Sequence, residues 1–179
     1  MLGHPFVISK IRDRTILDWI RDYSHDWNQG TVDGNQRQPV RSSMVSWMNP
    51  SNQIKRELLD YASEANKKGN WKYDIVDVES LQNTVYNVGQ YYDWHIDYND
   101  NHPEGKIRKL SFTMILSDGF KGGKLQIETG GPREKSRILD VPTELGTIVW
   151  FSSLTWHRVT KVTSGVRKSL VCWFLGNHG

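Results

Sequence analysis

Residues 146–175 read GTIVWFSSLTWHRVTKVTSGVRKSLVCWFL. Three runs rich in β-branched and aromatic residues, TIVWF, HRVTKV and KSLVCWFL, are divided by turn residues, among them Ser164-Gly165. Runs this short, punctuated this often, predict strands. Working outward, YDIVDV, LQNTVYNV, QYYDWHI, LSFTMIL, KLQIET and RILDV repeat the pattern from about Tyr73, joined by SDGFKGGK, ETGGPREK and VPTELG. Nine short runs at this spacing predict a β sandwich or barrel. Gly122-Gly123 is expected at a hairpin or bulge that needs positive φ, with no chemical role.

Ahead of Tyr73 the period becomes helical. Ile16, Trp19, Ile20 and Tyr23 follow Asp13, and Ile54, Leu58, Tyr61 and Ala65 follow Pro50-Ser51, each with a capping residue in place. Between them GTVDGNQRQPV is polar and turn-rich, and RSSMVSWM reads as a strand. One domain is expected over 1–179, with helical N-terminal support over 1–72 and a β core over 73–179.

The chain has 179 residues, 24% of them charged, with eight Trp, seven Tyr and five Phe. That composition describes a globular protein large enough to bury one core. The single cysteine, Cys172, cannot form an internal disulfide and lies in the apolar run SLVCWFL, as a small buried hydrophobe would. No run of about 18 apolar residues could span a bilayer, and MLGHPFVISKIRDR lacks the apolar core of a signal peptide. The expectation is an intracellular, cytoplasmic monomer. The net charge of +3 comes from scattered residues and not from the basic stripe that nucleic-acid binding requires.

The stretch VYNVGQYYDWHID, residues 85–97, places His95 two residues before Asp97. With six His and thirteen Asp in the chain, about 0.4 such pairs arise by chance, so the pair alone means little. On a strand, however, residues i and i+2 share a face, so the two side chains can converge. His157, which opens the HRVTKV run, is the strongest third member. Two histidines and one carboxylate suit non-haem Fe(II) and leave three positions open. A pair of half-buried, hydrogen-bonded imidazoles fits the spacing equally well. His4, His25, His102 and His178 read as solvated positions.

Arg167 stands ten residues beyond His157, with Ser169 two further along on the same face. A guanidinium pointing into a barrel requires an anion, and its planar fork matches a carboxylate. An outward arginine paired with a surface acid is the competing reading.

These motifs, Y86NVGQYYDWHID, LSFTMILSDGFKGGKLQI, GTIVWFSSLTWHRVTKVTSGVRKSL and the closing VCWF, stand together and in order. Over residues 73–175 the chain resembles the prolyl-4-hydroxylase-like branch of the Fe(II)/2-oxoglutarate dioxygenases, and most closely the PKHD-type hydroxylases of bacteria and phages. The N-terminal third resembles it more loosely, through VRSSMVSWM and the helix that follows. The resemblance implies a mainly β fold, a double-stranded β-helix (jelly roll, cupin-like) packed against N-terminal helices. It implies catalytic iron ligands His95, Asp97 and His157, with 2-oxoglutarate bound by Arg167, Tyr86 and Ser169. Trp173, six residues beyond Arg167, matches an aromatic lining that pocket, and core packing is an equal role for it. The implied cofactors are Fe(II), 2-oxoglutarate and O2, with ascorbate as a reductant.

The implied reaction hydroxylates a C–H bond while 2-oxoglutarate becomes succinate and CO2, on a protein, peptide or small amino-acid-like substrate such as peptidyl proline. Many prolyl hydroxylases proper use lysine where this chain has Arg167, so proline does not follow from the resemblance alone. Tyr92, Tyr98 and Trp47 are the candidates for substrate contact. Trp94 and Trp156, each preceding a ligand, are assigned to packing on the opposite face. Asn99–Lys106, the polar stretch after Asp97, is expected to form a rim or lid. Three rivals remain. A cupin-like module would leave four aligned residues as coincidence. An AlkB-like nucleic-acid demethylase places two arginines where RKSLVCW supplies one. A silent zinc protein would have no use for Arg167.

Overall fold

The computed structural model describes residues 3–30, 41–99, 102–130 and 137–178. The polar segment 31–40, the turn residues 131–136, and Asp100 and Asn101 of the expected rim lie outside the described residues. The N-terminal third contributes β1 (Val7–Lys10), α1 (Thr15–Asp22), β2 (Asn28–Gln29), β3 (Arg41–Ser42), β4 (Met44–Met48) and α2 (Asn52–Lys68). The remainder is β5 (Asp77–Val78), β6 (Leu81–Tyr86), β7 (Tyr91–His95), β8 (Lys106–Ile115), β9 (Lys121–Gly122), β10 (Leu125–Thr129), β11 (Arg137–Val141), β12 (Thr147–Ser152), β13 (His157–Val159), β14 (Val162–Ser164) and β15 (Arg167–Asn177).

The strands pair antiparallel. A large sheet runs β1-β12-β8-β15-β6-β4-β2, with β5 also on β15, and a smaller one runs β11-β10-β13-β7-β3. β9 and β14 make a separate ribbon. The two sheets form the expected jelly roll, and strand alternation explains its layers. On the outer face of the large sheet Leu110, Phe112, Met114, Ile148, Trp150, Leu170, Cys172 and Phe174 join the buried residues of α1 and α2 in one core. On the inner face Val149 and Phe151 pack on Leu125, Ile127 and Val141 of the small sheet.

The inner face also carries a buried polar row. Gln82, Thr84, Ser111, Thr113, Arg167 and Ser169 alternate with the outer-core residues of β6, β8 and β15, and all six are buried. Buried polar groups cost free energy unless they are satisfied, so this row marks the space between the sheets as a site and not as core.

α2 begins where Ser51 Oγ accepts the Ile54 amide at 3.3 Å, and it ends on Lys67 and Lys68, which suit the negative end of the helix. Burial of Ile54 and Leu58, about 1.5–3 kcal/mol each, outweighs these end effects of about 1 kcal/mol and fixes the docked face. Asp13 accepts the Thr15 amide at 2.9 Å at the start of α1.

Four local readings change. The N-terminal third supplies β1 as well as helices: VISK is too short and too polar to signal a strand, and it becomes one by pairing Val7 with Trp150 at the sheet edge. RSSMVSWM divides at Ser43 into β3, in the small sheet, and β4, in the large one. HRVTKV divides into β13 and β14, and of YDIVDV only Asp77–Val78 is strand. Gly122 and Gly123 adopt φ of 69° and 57°, as expected.

Candidate active site

His95 ends β7 and His157 opens β13, and the antiparallel register sets the two directly opposite each other. Opposed residues share a sheet face, so strand pairing alone brings the imidazoles together, with ring centroids 4.2 Å apart. Asp97 completes the group from just beyond β7. Its Oδ1 lies 3.4 Å from His95 Nε2 and 3.3 Å from His157 Nε2. Donors bound to one divalent ion at about 2.0–2.2 Å on adjacent positions stand about 3 Å apart, so this spacing nearly matches a metal site.

The other ring nitrogens fix the tautomers. His95 Nδ1 lies 2.7 Å from the Asp93 carbonyl oxygen, and His157 Nδ1 lies 2.8 Å from that of Thr155. A carbonyl only accepts, so each Nδ1 carries a proton, and each Nε2 faces the centre, where it can share a proton with Asp97 or, once deprotonated, offer its lone pair to a metal. Tyr92 stacks on His95, with ring centroids 3.6 Å apart and planes 14° from parallel, and Phe151 lies 4.6 Å from the His157 ring. Together they hold both imidazoles in place.

Asp97 is buried and anchored. Its Oδ2 accepts the Ser111 hydroxyl at 2.8 Å, and Ser111 Oγ lies 2.9 Å from Ser153 Oγ. The Ser153 carbonyl accepts the Asp97 and Tyr98 amides at 3.0 and 2.9 Å. Burial alone would raise the Asp97 pKa, but the charge and hydrogen bonds of His157 and His95 outweigh it and hold the carboxyl well below its usual range. Burial lowers His95. Burial also acts to lower His157, but the adjacent Asp97 more than offsets it and the net shift is upward.

Arg167 lies at the start of β15 opposite Tyr86, with its guanidinium carbon 5.4 Å from the tyrosine ring centroid. It is 1% exposed. Its Nε donates to the Gly123 carbonyl at 2.9 Å and its Nη1 to Ser169 Oγ at 3.2 Å, but its buried Nη2 has no partner among the described residues. Tyr86 packs with Val159, Val162 and Tyr92, and Tyr92 stacks on His95, so one continuous wall joins the guanidinium to the triad.

A profile of the 2OG-Fe(II) oxygenase superfamily matches residues 81–175, just over half of the chain. The chain belongs to this superfamily. Among similar oxygenases, a PKHD-type hydroxylase of Synechococcus sp. (strain CC9605) is 41% identical over 98 residues, which are 54% of this chain and 41% of that one. A PKHD-type hydroxylase of Parvibaculum lavamentivorans is 38% identical over 90 residues, 49% of this chain and 38% of that one. The chain thus spans about two-fifths of the length of these curated relatives.

The fold matches solved oxygenases more widely. A Pseudomonas putida prolyl-4-hydroxylase superposes with a TM-score of 0.68 at 21% identity, covering 96% of this chain and 92% of that one. A Trichoplax adhaerens prolyl hydroxylase, solved in complex with a hypoxia inducible factor oxygen degradation domain peptide fragment, superposes with a TM-score of 0.62 at 16% identity, covering 95% and 83%. These likenesses establish the double-stranded β-helix fold.

Superfamily membership implies Fe(II), 2-oxoglutarate and O2. The chain's own residues fit these groups. The triad offers two imidazole nitrogens and a carboxylate oxygen, a donor set suited to Fe(II), and Arg167 Nη2 is a buried cationic donor lacking an acceptor among the described residues.

The remaining sequence candidates fall on a rim. Tyr98 is exposed beside Asp97, and Trp47, 49% exposed, leans on Trp173 with ring centroids 5.9 Å apart. Trp173 in turn carries the Arg108 guanidinium 3.9 Å above its ring. Its own indole N–H is buried without a partner among the described residues. Arg108 makes a two-pronged bond to Glu79, with Nε 3.0 Å from Oε1 and Nη2 2.8 Å from Oε2.

The sequence reading missed Arg108, Glu79, Ser111, Ser153 and Gly123. Each acts through a partner far away in the chain, and only the carbonyl of Gly123 had a local signal, the glycine pair itself. Two other assignments change. Trp156 is 50% exposed, because it precedes β13 in a turn and has no opposite sheet face to enter. His25 is not a solvated residue, since it bridges Ser46 Oγ at 2.8 Å and the Ile20 carbonyl at 2.9 Å. Trp94 is half-buried under Arg158, whose guanidinium lies 4.8 Å from its ring.

Proposed function

We propose that the chain is an Fe(II)- and 2-oxoglutarate-dependent dioxygenase that hydroxylates a C–H bond of an amino-acid residue in a peptide, with peptidyl proline as the first substrate to test. The observation that carries this reading is the fully buried guanidinium of Arg167 with an unpaired Nη2, walled in with a His-Asp-His group. A buried cation without an anion is costly. A dicarboxylate reaching from the triad to Arg167 satisfies it.

In this reading His95, Asp97 and His157 hold the metal, and Arg167, with Tyr86 and Ser169 beside it, takes the far carboxylate of 2-oxoglutarate. Iron and 2-oxoglutarate, when bound, supply the chemistry that puts one oxygen atom of O2 into the substrate C–H bond and the other into succinate as CO2 leaves. Tyr92 and Phe151 exclude water around the ligands and fix the rings. Tyr98 and Trp47, both exposed, give the mouth an aromatic surface on which a peptide can lie. The peptide-bound neighbour and the prolyl hydroxylase folds support this substrate class.

The test starts without oxygen. Fe(II) and 2-oxoglutarate are titrated into the protein and the visible charge-transfer band of a chelated keto acid is followed. A saturable band that is lost in His157→Ala supports the reading, and metal binding with no band overturns it. Succinate release is then measured against a panel of proline-containing peptides, with and without ascorbate. Turnover confined to a non-peptide amino acid or a nucleic acid would overturn the substrate class.

A further inference from the structure

We infer that Ser111 and Ser153 form a hydroxyl lock on Asp97 that confines the carboxylate to one metal-facing oxygen and so keeps three coordination positions free. This rests on the iron-binding reading above and deepens it. Neither serine touches the metal ligands' donor atoms, so both are positioning residues.

Proton bookkeeping fixes the direction of the chain of hydrogen bonds. A carboxylate that ligates a metal carries no proton and can only accept. Ser111 therefore gives its single hydroxyl proton to Asp97 Oδ2 at 2.8 Å. It has none left for Ser153, so Ser153 is the donor across the 2.9 Å contact. Ser111 and Ser153 are fully buried, out of reach of bulk water.

The two Asp97 oxygens thus have separate tasks. Oδ1 faces both Nε2 atoms at 3.4 and 3.3 Å, while Oδ2 is turned away and occupied. A carboxylate with both oxygens free could take two positions on the metal. One oxygen from Asp97 and one nitrogen from each histidine leave three of six positions for a chelating cosubstrate and O2, whereas a bidentate Asp97 would leave two. The backbone reinforces the lock, since the Ser153 carbonyl accepts the Asp97 and Tyr98 amides at 3.0 and 2.9 Å and the Ser153 amide donates to Lys109 at 3.0 Å. β8, the loop after β7 and the turn after β12 therefore meet at this pair. Of these elements, the turn after β12 leads directly into His157.

The experiment uses the full chain loaded with Mn(II). Water-proton relaxation counts the exchangeable waters on the ion, and a competition titration gives its affinity. The wild type is expected to carry three waters. Ser111→Ala is expected to carry two and to bind Mn(II) about 10–100-fold more weakly, and Ser111→Thr, which keeps the hydroxyl, restores both values. Ser153→Ala, which leaves the Ser111 donor in place, keeps three waters and loses less affinity. Circular dichroism checks each variant's fold. If Ser111→Ala does not fold, Ser111→Cys, with its weak thiol donor, serves for the same comparison. Three waters and wild-type affinity in a folded Ser111→Ala overturn the lock while leaving the metal site intact. A wild type that binds no Mn(II), Co(II) or Fe(II) overturns the iron reading, and the lock with it.

Discussion

Replacing Arg167 by Met separates the cosubstrate site from the fold, because the two effects have opposite signs. In the wild type the guanidinium has two internal acceptors, Gly123 O and Ser169 Oγ, and one buried nitrogen without any. A carboxylate on its free side forms two charge-assisted hydrogen bonds worth about 1.5–3 kcal/mol each. Their loss, about 3–6 kcal/mol together, weakens 2-oxoglutarate by roughly 10²–10⁴-fold at about 1.4 kcal/mol per tenfold. The ligand-free protein loses two hydrogen bonds of about 1 kcal/mol each but also sheds a buried, incompletely paired charge, so its stability stays level or rises. The assay pairs calorimetric titration of 2-oxoglutarate into the metal-loaded, oxygen-free protein with thermal unfolding of the metal-free form. Cosubstrate binding within a factor of three of wild type refutes the assignment. So does an Arg167→Met protein that melts far below wild type, for then the arginine is structural.

Gly123→Ala places a Cβ 2.9 Å from Arg167 Cδ and 3.0 Å from Val162 Cγ2 at a φ of 57°, so it should destabilise the fold by about 1–3 kcal/mol and also weaken 2-oxoglutarate, measured by the same two assays. Cys172 is fully buried, and burial pushes its thiol pKa well up, so a thiol reagent should label it only as fast as the protein unfolds. For His157 burial lowers the pKa, but the adjacent Asp97 carries it above the ordinary value near 6.5. Its contribution to metal-free stability is therefore complete below pH about 6.5 and is lost as pH rises through the raised value. Divalent-metal affinity runs the other way, since a ligating ring must be neutral, and should climb over that interval in a titration series, with Asp97→Asn abolishing binding.

The amino-acid sequence made much of this site legible, for reasons particular to certain residues. His95 and Asp97 stand two residues apart at the end of β7, and Arg167 and Ser169 share a face of β15 by strand period, so local spacing carries half of each constellation. The pairing of His95 with His157 is a matter of register between β7 and β13, which no local pattern encodes. Family resemblance supplied it. Ser111, Ser153, Arg108 and Glu79 look like ordinary strand and loop residues, and their roles exist only across non-local contacts. β1 escaped for a similar reason, because a four-residue run with a serine and a lysine becomes a strand through its neighbour and not through its own propensity.

The placement of His95 opposite His157 also bears on how the molecule acquires its metal. The two proposed histidine ligands come from strands far apart in the chain, and their donor atoms meet only once β7 and β13 have paired. Such long-range pairings close late, because chain entropy must be spent before they return anything. On the iron-binding reading, an ion would therefore find the full three-ligand site only in a sheet already zipped. Metal bound at that stage acts as a latch on the finished fold: it slows the opening of the two strands and leaves the rate of their first meeting unchanged.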